Sequence, residues 1–509
     1  MSRLEKSAKN ISLSFVSILL NSLFGFISRT IFIKFLGEQY LGLSGLLNNV
    51  LGFLSITELG FASAIGFCLY KPLADEDYDS VSALMTFYKK IYRIVAIIVL
   101  ISGIALYFSL DFFIPVSQQP QGTSYAYFAF LFNIVVGYLL SYKTTLINSD
   151  NQAYKLIPIN ICTGLVQMVC QIFVLYLFKN YLAYILVQIM ASVISAIIQN
   201  RYVTYKYDKI DFNSKLQLSN EYKTSIKRNV GGLLVQKIGD YLVNSTDNLI
   251  ITKLVSLAAT GIYSNYLLIR NMINGFIGTF FTGITASMGN VVAKDSDEHK
   301  LEIFNTTFFV AFIMYSFEAV CFMCLFNPFI GELWIGEKFL FNPFTVFIIV
   351  LNNFLTGLRM PLIIMKNAAG KYMEDAWIPF GFSIVNLLAS VFLARYMGVA
   401  GVFLGTIIGS MLTADWYRPV IIYKHVFHVP VRKYFIQYLK YIILGLAYMA
   451  IAYGLCLTVR VNNVIIGFII KMIIAVTIPI VLDIILFYKT KEFDIMVSIA
   501  SRMKNMIKR

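Results

Sequence analysis

A small number of ionisable residues lie inside long apolar stretches of this sequence, where a charge is costly. Such residues face the protein interior or a wet cavity by default, so they are candidates for function. The cationic candidates are Arg29, Lys143, Lys237, Arg270, Arg359 and Lys366. Arginine forms paired hydrogen bonds with phosphate oxygens and remains charged. An excess of cations in a cavity therefore predicts an anionic cargo that carries phosphate.

The depth of each cation in its helix separates the candidates. Arg270 lies about 18 Å from the start of its apolar stretch, near the middle of a membrane. Arg29 and Lys237 lie in the outer and inner halves of their stretches, and we predict a cavity role for all three. Lys143, Arg359 and Lys366 come late in helices that run towards the cytoplasm. Their long side chains fit a cavity or an extension to the inner interface equally well.

The acidic candidates within these stretches include Glu58, Asp240 and Asp247. Lys237 and Asp240 are three residues apart and can pair on one helix face. Both a structural ion pair and a proton or sodium coupling site are consistent with this spacing. Glu58 lies where its helix approaches the cytoplasm, which favours a structural or gating role over ion coupling.

The composition indicates that these apolar stretches lie in a membrane and not in water. Of the 509 residues, 58% are hydrophobic and 14% are charged, whereas soluble proteins carry about 25% charged residues. Stretches of about 20 apolar residues can each cross the hydrocarbon core, and we predict fourteen of them. They cover approximately residues 11–35, 40–70, 88–110, 123–147, 156–178, 181–204, 229–253, 258–288, 303–330, 342–366, 375–396, 399–424, 434–458 and 464–488.

The distribution of basic residues predicts the orientation. The formal net charge is +15, and no polar domain exists to present it to nucleic acid, so we expect no nucleic-acid partner. With a cytoplasmic N-terminus, most lysines and arginines fall in segments on the cytoplasmic side, as the positive-inside rule requires. Both termini are therefore predicted to be cytoplasmic. The first apolar stretch continues to about Phe35 without a small-residue cleavage site, which predicts a spanning helix and not a signal peptide.

The chain repeats itself at a nearly constant offset. An offset of 219 aligns Gly42 with Gly261, Asn133 with Asn352 and Asn148 with Asn367. Six helices per half is an even number, so the halves share one orientation and their two-fold axis lies along the membrane normal. Parallel repeats of this kind rock against each other around a central site, which predicts a transporter that works by alternating access.

The repeat and the loops give the predicted fold and domain boundaries. The fold is an all-α polytopic membrane protein of about 14 transmembrane helices, with two six-helix lobes and two accessory C-terminal helices. The longest loop is basic and has the position expected of a linker between the lobes. The segments are the N-lobe (1–204), the cytoplasmic linker (205–228), the C-lobe (229–424), the accessory helices (425–488) and a basic cytoplasmic tail (489–509).

Two segments resemble a known family. The first segment runs from Ser55 to Ile65 and reads SITELGFASAI. It precedes an acidic loop and the basic run Tyr88 to Arg93. The second segment reads TDNLII from Thr246 and continues as ATGIYSNYLL from Ala259. Both are similar to bacterial oligosaccharide flippases of the Wzx type, members of the multidrug/oligosaccharidyl-lipid/polysaccharide (MOP) exporter superfamily.

The resemblance implies transfer of undecaprenyl-pyrophosphate-linked oligosaccharide units from the inner to the outer leaflet of the bacterial cytoplasmic membrane, for surface polysaccharide biosynthesis. In such relatives, cations on helices 1, 7, 8 and 10 engage the pyrophosphate, and Arg29, Lys237, Arg270 and Arg359 fall on those helices here. The sodium site of some relatives uses a helix 7 aspartate and helix 11 polar groups, which Asp247 and Asn386 could supply. The other partners implied are membrane lipids and polysaccharide polymerase machinery.

Two other functions fit the sequence less well than a flippase does. A multidrug or cation antiporter of the same superfamily commonly has an acid in helix 1, whereas this chain has Arg29 there. A membrane glycosyltransferase or polysaccharide polymerase would need larger external loops. We therefore predict that the chain is not an enzyme and uses no cofactor, with proton, sodium or membrane potential each open as the driving force. Cys321 and Cys324 have zinc-site spacing but no partner pair, so we predict no metal.

Overall fold

The computed structural model describes residues 3–54, 61–115, 119–219, 222–224, 226, 239, 246–371, 374–375 and 377–498. Every regular element within these ranges is helical. The chain divides into two compact units, Met1–Thr279 and Phe280–Arg509. The predicted boundary between the lobes, in the linker at 205–228, stays a prediction.

The first unit is formed by long helices joined by short helical segments. Within its described residues the helices are α1 (Arg3–Gly52), α2 (Phe61–Ala74), α3 (Tyr78–Tyr107), α4 (Leu110–Phe113), α5 (Thr123–Ser141), α6 (Thr144–Ser149), α7 (Ile157–Phe178) and α8 (Tyr181–Lys206). A π-helical turn, Ile251–Val255, precedes α9 (Leu257–Lys294), which contains the unit boundary.

The second unit is built in the same way. Its described helices are α10 (Asp297–Asn327), α11 (Pro343–Leu358), α12 (Met360–Ala368), α13 (Ile378–Met397), α14 (Val399–Leu412), α15 (Ala414–Ile422), α16 (Arg432–Thr458) and α17 (Val464–Phe487).

The structure confirms the polytopic all-α fold. Within the described residues, eleven helices are long and apolar enough to cross a membrane. Large apolar side chains are exposed along them, as contact with lipid requires; on α17 these include Ile465, Ile469, Ile473, Ile480 and Ile484. The predicted turn between the first two spans also exists, because Gly37 has a φ of 80° and interrupts the helical geometry inside α1.

Three predicted spans are broken helices. The span predicted at 123–147 is interrupted between α5 and α6, at Lys143, and the span at 342–366 is interrupted between α11 and α12, at Arg359. The repeat pairs these two spans. A third break, at Thr413, separates α14 from α15.

Two repeat-related glycines make reciprocal backbone contacts in the first unit. A Cβ atom added to Gly42 would overlap the carbonyl oxygen of Leu257, and one added to Gly261 would overlap the carbonyl oxygen of Glu38. The offset of 219 relates Gly42 to Gly261 and Glu38 to Leu257. The two contacts therefore exchange repeat partners, as a local two-fold relation between these segments would require.

The last two helices, α16 and α17, pack on α10 of the same unit through aromatic rings. On α10, Phe308 stacks on Tyr434 of α16 with centroids 5.3 Å apart, and Phe312 stacks on Tyr441 at 4.3 Å. Phe487 of α17 completes the cluster, 5.8 Å from Phe312. Aromatic pairs at these separations add roughly 0.5–1.5 kcal/mol each beyond their burial, so α16 and α17 are firmly attached to this unit.

Candidate functional site

Arg29 carries a positive charge in the interior of the first unit, where its hydrogen-bond partners are neutral. Its Nη1 donates to Ser264 Oγ at 2.7 Å and to Asn265 Oδ1 at 3.3 Å, both on α9. Among the residues that the structure describes, no carboxylate lies within ion-pair distance of this guanidinium. A neutral hydroxyl and a neutral amide orient the group and leave its charge uncompensated, which suits it to an anion.

A polar cavity opens beside Arg29. The cavity has a volume of 350 Å³ and is lined by α1, α7, α8 and Leu268 of α9. A second cavity of 390 Å³ continues from it, because Asn21, Gly164 and Gln167 line both. Each volume lies within the range of about 300–1,000 Å³ typical of ligand pockets. We call the two cavities together the polar cleft.

Four other predicted cations, Arg270, Arg359, Lys366 and Lys143, lie within the described residues, and none of them is among the residues that line the polar cleft. Arg270 lies on α9, and its Nε is buried without a hydrogen-bond partner in the described part of the chain. Its guanidinium and the Asp247 carboxylate both lie near the phenol of Tyr263. The cavity role predicted for Arg270 is untested by this arrangement and stays a prediction.

Arg359 is held in a buried ion pair. Its Nη1 lies 3.4 Å from Asp415 Oδ1 and its Nη2 donates to Thr356 Oγ1 at 2.7 Å. The side chain is 7% exposed and that of Asp415 is 5% exposed. The two residues come from the breaks at Arg359 and Thr413, so this pair joins two interrupted helices. Its charge is already matched, which gives it a structural role in this arrangement.

Lys366 is matched in the same way. Its Nζ lies 2.5 Å from Asp375 Oδ2, and Arg418 Nε donates to both Asp375 oxygens at 3.1 and 3.2 Å. Lys366 and Asp375 are almost fully buried. The attraction between the buried carboxylate and the two cations offsets the desolvation cost of burying these charges. The two predictions for this side chain, a cavity role and an extension to the inner interface, stay predictions.

The structural role of Lys366 can be tested. Lys366→Met removes one of the two cations on Asp375 while Arg418 remains, so we expect a loss of about 1–3 kcal/mol in the free energy of unfolding. Transport by the folded fraction should be unchanged. The measurement is the melting temperature of the purified protein, with transport normalised to folded protein. The matched control is Lys371→Met, whose partner Glu374 is part-exposed; it should shift stability by less than about 1 kcal/mol. Equal effects would contradict the buried-pair account.

Lys143 packs on neutral partners at the end of α5. Its Nζ donates to Thr204 Oγ1 at 2.6 Å and lies 4.1 Å from the centroid of the Phe212 ring. The residue is 8% exposed. A hydroxyl and a ring face therefore lie against the ammonium group, and the cavity role and the extension to the inner interface both stay predictions for Lys143.

Three predicted residues, Glu58, Lys237 and Asp240, lie outside the described residues. The predicted pairing of Lys237 with Asp240 stays a prediction for the same reason.

Asn386 lies at the centre of a buried cluster of oxygens in the second unit. It is completely buried. Its Oδ1 accepts hydrogen bonds from Ser390 Oγ at 2.7 Å and Thr406 Oγ1 at 3.1 Å, and Ser390 Oγ also donates to the Val402 carbonyl at 2.8 Å. Side-chain and carbonyl oxygens of this kind are ligands for sodium in transporters. Asp247, the other predicted member, belongs to the first unit.

Three glycines make the approach of α13 and α14 possible. Gly401, Gly405 and Gly409 are spaced four residues apart on α14, the small-residue pattern that lets membrane helices pack closely. A Cβ at Gly405 would overlap Ser390, and a Cβ at Gly409 would lie 3.0 Å from the Asn386 backbone nitrogen. The glycines therefore set the position of the Asn386 cluster.

Sequence reasoning missed the acids Asp375 and Asp415 and the neutral polar residues of the cleft. The acids lie near helix ends, where a charge is less unusual than at the middle of a membrane and is therefore a weaker signal of function. The polar residues of α7, Asn160, Thr163, Gln167 and Gln171, recur at helical spacing. That periodicity is a signal that could have identified them.

The sequence matches one family model. Residues 31–341 match the model described as polysaccharide biosynthesis protein. No curated protein is similar enough in sequence to count as a match.

Solved structures with the same fold include a lipid II flippase, MurJ, in an inward closed conformation. It is 12% identical with a TM-score of 0.68, over 94% of this chain and 99% of that one. A mutant of the Vibrio cholerae MATE transporter VcmN is 12% identical, with a TM-score of 0.59 over 84% and 98% of the two chains. A MOP superfamily transporter from Pyrococcus furiosus is 14% identical, with a TM-score of 0.56 over 83% and 97%. The last is described as having a binding pocket of reverse polarity that suggests a different function.

Proposed function

Since this chain belongs to the family of polysaccharide biosynthesis proteins and has the fold of MOP superfamily transporters, we propose that it is a flippase for undecaprenyl-pyrophosphate-linked oligosaccharide units. The cargo moves from the inner to the outer leaflet of a bacterial cytoplasmic membrane by alternating access. Both chain termini face the cytoplasm. The cargo then passes to polysaccharide polymerase machinery, and the protein itself performs no covalent chemistry.

The observation that carries the proposal is the Arg29 guanidinium beside the polar cleft, which pairs with no carboxylate in the part of the chain that the structure describes. A pyrophosphate is a strong acceptor of hydrogen bonds from a guanidinium, and the neutral partners Ser264 and Asn265 leave the Arg29 charge free to attract it. A cationic drug would be repelled at this position. The cation antiporter alternative is therefore disfavoured by the same residue.

The repeat supports alternating access. Parallel repeats related by an axis along the membrane normal rock around a site between them in other transporters. The reciprocal contacts of Gly42 with Leu257 and of Gly261 with Glu38 have the symmetry that such a motion needs.

A deletion strain tests the proposed function. Loss of the gene should cause lipid-linked oligosaccharide to accumulate on the cytoplasmic face of the membrane, and the wild-type gene should reverse it. The measurement is the amount of lipid-linked oligosaccharide extracted, with its leaflet assigned by a membrane-impermeant label. If the deletion strain exports surface polysaccharide normally and accumulates no lipid-linked intermediate, the proposed function is wrong.

Ion coupling completes the proposal. A sodium ion bound by the Asn386 cluster would drive the transport cycle, while proton coupling and the membrane potential remain the competing sources. Asp247, Glu58 and Asp240 are the other candidate residues for coupling. The fully buried oxygens of Asn386, Ser390 and Thr406 favour the sodium alternative.

Sodium coupling has a direct test. We expect Asn386→Leu to remove the dependence of transport on sodium and to lower the rate at saturating sodium about tenfold or more, because a buried oxygen ligand is lost. The measurement is transport in proteoliposomes with and without a sodium gradient. Ser383→Ala, one turn earlier on α13 and bonded only to the Pro379 carbonyl, is the matched control. Sodium dependence that persists in Asn386→Leu would contradict this assignment.

A further inference from the structure

Two helices of the first unit present matching neutral polar faces to the polar cleft. On α7 the face consists of Asn160, Thr163, Gln167 and Gln171, and on α8 it consists of Tyr184, Gln188, Ser192, Ser195 and Gln199. Their spacings of three, four and seven residues place each set on one side of its helix. The face on α8 extends over about 22 Å. The cleft is therefore an elongated polar surface inside an apolar helix bundle.

The surface is neutral except at one point. Among the described residues that line the polar cleft, Arg29 is the single charged side chain, and no carboxylate is present. Amide side chains supply two donors and an oxygen acceptor, and hydroxyls both donate and accept. This combination matches a ligand that also carries donors and acceptors on every unit and has little charge.

The polar groups of the cleft are only partly satisfied by each other. Gln199 Nε2 donates to Asn160 Oδ1 at 2.7 Å, and Thr163 Oγ1 donates to Ser195 Oγ at 3.2 Å. Gln171 is different, because it is only 2% exposed and its amide nitrogen makes no hydrogen bond in the described structure. The phenol of Tyr184 lies nearby. A buried amide donor without a partner is costly to the free protein, and a bound ligand would relieve that cost.

We propose that the polar cleft binds the sugar part of the cargo and that this part is uncharged. The inference rests on the proposed function and adds the substrate class to it. Sugar hydroxyl and N-acetyl groups provide the donors and acceptors that the two faces lack, and Gln171 donates to one of them. The ring of Phe24, which also lines the cleft, offers an apolar surface to a sugar ring. Arg29, at one end of the cleft, fixes the pyrophosphate so that the sugars extend along α7 and α8.

The arrangement separates two contributions to affinity. The pyrophosphate contributes through Arg29 for every cargo, whereas the amides contribute only when sugars are present. Replacing Gln171 by leucine removes the amide nitrogen without a hydrogen bond, together with the Oε1 that accepts from Gln167 Nε2 at 3.4 Å, and keeps the side-chain size. We expect the variant to stay folded, and its melting temperature, measured beside the binding, separates a loss of sugar binding from misfolding.

Binding of three probes to the purified full-length protein in nanodiscs tests the inference. The probes are farnesyl pyrophosphate, farnesyl pyrophosphate linked to a neutral trisaccharide of hexose and N-acetylhexosamine, and the same conjugate with one hexose replaced by its uronic acid. The variants are Gln171→Leu and Gln188→Leu. Gln217→Leu, which changes an exposed loop amide outside the cleft, is the matched control.

The neutral conjugate should bind the wild type about tenfold or more tightly than bare farnesyl pyrophosphate, and the uronic-acid conjugate should bind more weakly than the neutral one. Each cleft variant should weaken binding of the neutral conjugate about 2- to 10-fold, the effect of one lost hydrogen bond, and leave bare farnesyl pyrophosphate unchanged. Gln217→Leu should change neither affinity.

Three results would overturn the inference. Equal affinity of the wild type for the bare and the neutral glycosylated probe would show that the cleft does not bind sugar, while the proposed function would stand. Tighter binding of the uronic-acid conjugate would show that the preferred sugar is acidic. Failure of the wild type to bind any of the three probes would overturn both the inference and the proposed function.

Discussion

Arg29→Ala should lose most of its ability to transport lipid-linked oligosaccharide while remaining folded. Within the described ranges the guanidinium donates hydrogen bonds to the neutral Ser264 and Asn265, so its removal leaves none of the described acids unpaired. A hydrogen bond to a charged group contributes about 1.5–3 kcal/mol, which corresponds to a roughly 10- to 150-fold loss. The measurement is rescue of surface polysaccharide export in a deletion strain, at matched protein abundance.

Two further variants make this result specific. Arg29→Lys keeps the charge but loses the paired geometry, so we expect partial rescue. Arg201→Ala removes an exposed arginine near the end of α8, away from the polar cleft, and should rescue fully. Full rescue by Arg29→Ala would show that transport does not need the Arg29 charge. The proposed function would then lose the observation that supports it most.

The second large effect is expected at the contact between α13 and α14. In Gly405→Val the new side chain would overlap the Ser390 hydroxyl and its backbone nitrogen. Backbone atoms cannot move aside as a flexible side chain can, so the helices must separate. Overpacking typically costs about 1–3 kcal/mol, and we expect at least the upper end of that range. The melting temperature and the yield of monodisperse protein measure it.

The control for this variant is Gly454→Val. Gly454 is an exposed helical glycine on α16, and a Cβ there would meet no atom within 4 Å. Its substitution should have little effect on stability. If Gly405→Val is as stable as Gly454→Val, the close approach of α13 and α14 is not required by the fold.

The positions of the helices could be predicted from the sequence because the bilayer fixes their length and polarity. The apolar stretch predicted at 181–204 corresponds to α8 (Tyr181–Lys206), and the one at 464–488 to α17 (Val464–Phe487). The breaks within spans could not be predicted in this way. A hydropathy window does not respond to an interruption of one residue, such as the one at Thr413 between α14 and α15.

The site was predicted less completely, for a physical reason. A cation inside an apolar stretch needs a partner group that compensates its charge, but the sequence does not show which residue supplies that group. Arg359 and Lys366 find Asp415 and Asp375, which are 56 and 9 residues further along the chain. Arg29 has the same sequence signature, yet its partners are neutral. Only the tertiary structure distinguishes a matched charge from an available one.

The measurement that tests the central claim most directly uses purified protein in proteoliposomes that contain a fluorescent lipid-linked oligosaccharide. A membrane-impermeant quencher reports the fraction of the lipid in the outer leaflet over time. The proposed function predicts that wild-type protein makes the whole labelled pool accessible, whereas protein-free liposomes expose only the original outer-leaflet half and Arg29→Ala exposes the other half about 10- to 150-fold more slowly than the wild type. Equal exposure with and without wild-type protein would contradict the claim that this chain is a flippase.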